Sequence, residues 1–222
     1  MSSSPRSVAL SLLLALVVAP AWAFQSPLSE ESVREAYFLG QRHDEALTRF
    51  LDKYTQYLAA PKTGPHISSI TFFTPFALLA HQSSKRIAGY SAQQAQLDHR
   101  NQAETVEIIV QIQFTPSYGA LISRPTGSHS GSPVGYAARP YDFWKDFEVQ
   151  TFNGKEEKAL RPFSSSGDPN FLCTDDGACT LTGATLYFEF AADAFTSSSA
   201  TVQVNPPESD PVVVGFDLSS LR

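Results

Sequence analysis

The stretch Val106-Glu107-Ile108-Ile109-Val110-Gln111-Ile112-Gln113-Phe114 decides how the chain is read. Apolar side chains stand at Val106, Ile108, Val110, Ile112 and Phe114, with Glu107, Gln111 and Gln113 between them. A period of two puts the apolar set on one side of a strand and the polar set on the other, so this segment is a strand with one buried face. Shorter runs with the same alternation, rich in Val, Ile, Thr and Phe, occur at 67–73, 143–152, 181–190, 201–205 and 212–218. Turn residues separate them, and the last two are joined by Pro206-Pro207-Glu208-Ser209-Asp210-Pro211, whose prolines discourage pairing at an edge. The expected fold is mainly β: an antiparallel β-sandwich, with a partly open barrel as the alternative, decorated by an N-terminal helical segment and short inserted helices. Sixteen phenylalanines can fill the space between two sheets.

Upstream of these strands the period changes. Val33, Tyr37, Gly40, Asp44, Leu47, Leu51, Tyr54 and Leu58 alternate at spacings of four and three, which is one face of a helix. Two helices are expected, near 30–40 and 44–58, or one kinked helix, with Ser32 and Glu35 as a capping box. Pro61-Lys62-Thr63-Gly64-Pro65 ends this part. Residues 75–86 and 92–102 have helix-like composition, with Ser91 as N-cap of the second. Residues 124–140, with Gly127, Gly131 and Gly135 among Ser and Pro, read as a long surface loop. The expected organisation is therefore a leader at 1–23, a helical segment at 24–62, and a sandwich-like domain at 63–222 with a helical insertion around 75–102.

The leader is read from three parts. Arg6 lies in a short polar region, an apolar run spans 8–18, and Ala21 and Ala23 are small enough for a signal peptidase cut after Ala23. The run is too short to cross a bilayer, and Pro20 interrupts its end. The expectation is a secreted or periplasmic protein without a membrane anchor after cleavage. Cys173 and Cys179 are the two cysteines of the chain, with Asp175-Asp176-Gly177 between them, and in an oxidising compartment they form a disulfide across a turn. Closing so short a loop contributes about 2 kcal/mol in the chain-entropy picture.

The chain has 22 acidic against 16 basic residues, net −6, and no cluster of Lys and Arg. Nucleic acid and anionic membrane are disfavoured as partners, because binding to either needs concentrated positive charge. No phosphate loop, dinucleotide fingerprint or zinc-ligand cysteine set occurs, so no cofactor and no metal are expected. His43, His66, His81, His99 and His129 stand at no three- or four-residue spacing from one another. Gly127-Ser128-His129-Ser130-Gly131 has the glycine frame of a nucleophile elbow, but a histidine occupies the centre and no strand and helix flank it. Glu156 and Glu157 sit beside Lys155 and Lys158 as a solvated turn, and Asp168, Asp175 and Asp176 lack the ligand spacing of a calcium loop. Tyr136, Tyr141, Phe143, Trp144 and Phe147 form the most suggestive run. With Phe143 and Phe147 on the core side of a strand, Trp144 falls on the other face, and Tyr141 and Trp144 are the candidate residues for stacking on a ligand.

Three roles follow. The first is a non-enzymatic exported β-rich module that binds a protein or glycan. The second is an enzyme acting on cell-envelope or extracellular polymer, whose site is assembled only by the fold and holds a histidine beside a carboxylate in a polar pocket. The third is a subunit that docks through Leu47, Leu51 and Tyr54, which requires those side chains to be free.

Overall fold

A computed structural model describes residues 23–86, 89–125, 134–207 and 209–222. Residues 1–22 of the expected leader and the 127–131 segment with His129 lie outside the described residues. The chain is mainly β, in antiparallel open sheets with no closed barrel.

The strand with the strict alternation is β3 (Thr105–Gln113). It lies at the centre of a five-stranded sheet between β2 (His66–Phe73) and β8 (Cys179–Ala191). The edges of that sheet are β1 (Thr55–Tyr57) and β7 (Ser164–Cys173). A second sheet has β9 (Ser199–Asn205) between β6 (Glu148–Asn153) and β10 (Val212–Asp217). The inner faces form one core: Ile70 and Phe72 of β2, Val106 to Ile112 at alternate positions of β3, and Ala184, Leu186 and Phe190 of β8 meet Val202, Val204, Val214 and Phe216. This is a β-sandwich, and the alternation of β3 turns its apolar face inward: Val106, Ile108, Val110 and Ile112 are fully buried. Phe72 joins the two sheets, with its ring against Phe195 at 5.1 Å and Phe216 at 5.4 Å.

Helices α1 (Glu30–Gly40), α2 (Glu45–Asp52), α3 (Pro75–Lys85) and α4 (Ala92–Arg100) make a third layer. Tyr54, Phe73, Ala77 and Leu78 seal α3 to the outer face of the five-stranded sheet, and α1 packs on α3 and α4 through Val33, Ala36, Tyr37, Phe76, Ala80 and Ala95. Gly40 makes that crossing close, since a Cβ there would stand 2.3 Å from the Ala80 carbonyl oxygen. Residues 24–62 are part of the same layers: they supply α1 and α2 to the helices and β1 to the sheet.

Several local expectations need correction. The second helix stops at Asp52 and not at 58, because Thr55 to Tyr57 leave it to pair with Thr71 to Ser69. Tyr54 fixes this exit, its hydroxyl donating to the Arg222 carbonyl at 3.1 Å. The cap of α1 is Ser29, whose hydroxyl accepts from the Ser32 N–H, and the Ser32/Glu35 capping box does not form. Residues 143–152 are not one strand. Phe143–Asp146 is a 3-10 turn, and β6 begins only at Glu148. Both Phe143 and Phe147 are buried, as expected, but a helical turn brings them inward. The supposed loop 124–140 has paired arms, β4 (Leu121–Pro125) and β5 (Val134–Ala138). The other predicted strands and both inserted helices are present, and Ser91 caps α4 by accepting from the Gln94 N–H at 3.2 Å. The cysteines form the disulfide: Cys173 and Cys179 are cross-strand partners at the end of the β7–β8 hairpin.

Candidate functional site

Tyr141 follows β5 and leads into the 3-10 turn that carries Trp144. The turn is anchored from below by Phe143 and Phe147, which pack with Phe114 and Tyr118 in a cluster of tilted and edge-on rings. Arg139 closes the same cluster: its guanidinium lies 3.7 Å from the centroid of Tyr118, and its Nε donates to the Gly119 carbonyl at 3.0 Å. The turn thus projects from a rigid base.

Trp144 lies half-buried on β7, against Gly167. A Cβ at that glycine would come within 2.6 Å of the indole, so Gly167 is what lets the ring sit flush on the strand. Lys145 reaches over the indole at 5.7 Å and pairs with Asp142 at 3.2 Å. Tyr141 is 69% exposed, and its ring meets Phe171 of β7 edge-on at 5.6 Å. Phe171 is itself exposed, and Leu172 beside it more so. Gly167 and Phe171 are four residues apart on β7, so the two contact points lie about 13 Å apart. The structure therefore gives Tyr141 and Trp144 different settings: Tyr141 offers most of its ring to solvent, whereas Trp144 has committed one face to the strand. Phe171 is the member of this surface that the sequence did not reveal. Its strand reads Ser-Ser-Ser-Gly-Asp-Pro-Asn before it, with no alternation to betray it.

The histidines are dispersed. His43 occupies the turn before α2 with φ of 49°. The Nε2 of His66 is 2.8 Å from the Leu58 carbonyl. His99 meets Glu104 at 3.1 Å, beside a recess of about 80 Å³ that Arg86, Tyr90 and Asp98 also line. This is the nearest approach to the polar pocket that an enzyme would need. Both Glu104 oxygens are otherwise engaged, accepting from the Ser26 hydroxyl and the Leu28 N–H at 2.5 Å each. The carboxylate acts as a clamp on the segment before α1, and the Ser26 hydroxyl is directed at Glu104, not at His99. Among the described residues no group of three or more His, Cys, Asp or Glu is arranged to hold a metal ion. Asp175 and Asp176 are exposed at the hairpin tip, and Glu156 accepts from Asn153 in its turn.

A second polar cluster borders α3. Glu107 and Glu189 are direct cross-strand partners on the outer face of the five-stranded sheet. Burial first, then the opposed Glu189, raise the Glu107 carboxyl above its ordinary value, and Lys85 offsets part of this. His81 stacks on Phe73 with ring centroids 4.8 Å apart, and burial, aided by Lys85, brings its pKa from 6.5 to about 4. The two groups act in opposite senses. The stability that depends on neutral His81 is complete above pH 6.5 and lost as the pH falls through 4, whereas that of Glu107 is lost as the pH rises through its raised folded value. In His81→Gln the acid-side loss should shrink by about 1 kcal/mol, allowing for solvent screening of a half-buried ring. Urea midpoints at neutral pH and near pH 4, compared for both proteins, read this directly.

The helical stripe is consumed internally. Leu47 and Tyr54 are 6% and 1% exposed, and Leu51 packs beside Tyr54 in the seal beneath α3. Docking through Leu47, Leu51 and Tyr54 is thereby ruled out. Among the described residues no helix is long and apolar enough to cross a membrane. In comparisons with known proteins, the chain matches no family model and no curated sequence.

Proposed function

We propose that the protein is an exported, non-catalytic binding module that holds an extended glycan chain along β7. The observation that carries this reading is the contact of two solvent-exposed rings, Tyr141 and Phe171 of β7, on the edge strand against which Trp144 also lies. Exposed aromatic faces stack on the apolar faces of sugar rings, and a separation of about 13 Å between the contact points suits a chain of several units better than a single sugar. Export is supported by the leader reading of residues 1–23 and by the Cys173–Cys179 bond, which belongs to an oxidising compartment, periplasmic or extracellular. Sequencing of the mature protein is then expected to begin at Phe24.

Affinity electrophoresis in gels containing soluble polysaccharides tests the binding. Retardation is expected for at least one polymer, and Tyr141→Ala combined with Phe171→Ala should weaken it about tenfold or more, the equivalent of roughly 1.4 kcal/mol. Both rings are exposed, so the thermal midpoint should hardly move. Retardation that survives the double substitution would place the polymer elsewhere and defeat the proposal.

The second reading, an enzyme acting on envelope or extracellular polymer, draws on the His99–Glu104 recess alone. It requires a turnover that His99→Asn abolishes in a protein that remains folded.

A further inference from the structure

Four edges bound the two layered sheets, and three are blunted in ways that prevent strand addition. β1 is three residues long. β7 carries Pro169 in mid-strand and a register shift at Asn170/Phe171. β6 is covered by the loop that follows it, where the Leu160 N–H donates to the Thr151 carbonyl at 2.7 Å. β10 has none of these devices. It reads Val-Val-Val-Gly-Phe-Asp, and Pro211 stops just short of it. Apart from β9, no described residue hydrogen-bonds to the backbone of residues 212–216. The outer face of the strand is uncovered as well: Val213 is 60% exposed, and a Cβ at Gly215 would meet nothing within 4 Å.

Where the strand begins, a cleft of about 590 Å³ opens between the 58–67 and 209–212 segments. Leu58, Pro61, Pro65 and Pro211 give it apolar walls, with Lys62 and Asp210 also lining it. At the far end stands exposed Asp217, which accepts from the Ser219 N–H and hydroxyl. The strand is thus apolar between two carboxylates, Asp210 and Asp217, with Lys62 also lining the cleft at the first.

We infer that β10 is a strand-addition site for an extended peptide segment of a partner protein, apolar at alternate positions and basic at its ends. Main-chain hydrogen bonds to β10 would supply affinity, and the cleft beside Val212 would select the terminal side chain. Charge decides against a second copy of this chain. Antiparallel self-pairing centred on Val214 would set Asp217 opposite position 211 of the other copy and beside its Asp210.

Fluorescence anisotropy of the purified protein with a labelled peptide of alternating valine and threonine, with a lysine at each end, is the test. Saturable binding is expected below about 1 mM. It should weaken about tenfold or more when alternate peptide amides are N-methylated, and by a similar factor in Val213→Lys, which adds a cation at an exposed position. Absence of saturation by about 1 mM, or equal binding of the N-methylated peptide, overturns the inference. So does a dimer in sedimentation that Val213→Lys dissolves, because the edge then serves a second copy. Tyr141 and Phe171 take no part, so this result and the glycan result fail independently.

Discussion

Replacing Gly183 by valine is expected to leave no stable folded protein. The residue lies in β8 with Gln113 of β3 on one side and Asn170 of β7 on the other. A Cβ at Gly183 would stand 2.0 Å from the Ile112 carbonyl oxygen, with milder contacts to the Ile112 carbonyl carbon at 3.0 Å and the Gln113 Cα at 3.1 Å. The colliding atoms are backbone of the central strand β3, so no rotamer change relieves them, and β3 and β8 would have to separate at this end of their ladder. The cost should be about 4 kcal/mol or more, in the range where a marginally stable domain no longer folds. Alanine already introduces the offending atom, and differs from valine in degree only. Far-UV circular dichroism and a urea titration give the answer: a cooperative transition near the wild-type midpoint would show that the strands are not paired as described.

The second large effect concerns Phe72. Its ring touches Phe195 and Phe216, and Phe195 in turn packs on Phe24 and Phe190. Phe72→Ala removes the piece that binds the five-stranded sheet to the three-stranded one, and should cost about 3–5 kcal/mol with a single cooperative transition retained. A loss of less than about 1 kcal/mol would mean that the two sheets do not share one core. Circular dichroism and tryptophan fluorescence should report the same midpoint, since Trp144 packs against that core.

What the sequence made legible follows from where period and burial coincide. β3 could be read because one face of it is wholly interior and the other carries Glu and Gln. β8, β9 and β10 were found for the same reason, being strands that each present a set of residues to the core between the sheets. β7 was invisible because it is an edge strand with little to bury, and its pairing is fixed by the ladder to β8, not by its own side chains. The 3-10 turn at Phe143 was mistaken for strand because Phe143 and Phe147, four apart, point inward under either period. Of the candidate surface, Tyr141 and Trp144 could be named from composition alone. Phe171 could not, since its contact with Tyr141 joins segments thirty residues apart through a strand the pattern did not show. The Glu107–Glu189 opposition belongs to the same class: the alternation places Glu107 on the outer face, but only the register names its partner.

The Cys173–Cys179 bond lies at the extreme end of β7 and β8, where the ladder already holds the two residues opposite each other. Opening it would leave nine further rungs of that pairing in place, so the sandwich would keep its fold at a cost of about 2 kcal/mol. The tip would change more. With the bond intact, the backbone from Thr174 to Ala178 is held too tightly to thread an extended stretch into a protease, whereas in reducing surroundings this exposed turn becomes free to fray and be cut. The bridge therefore guards the hairpin tip against nicking, and contributes to the lifetime of the chain as well as to its folding.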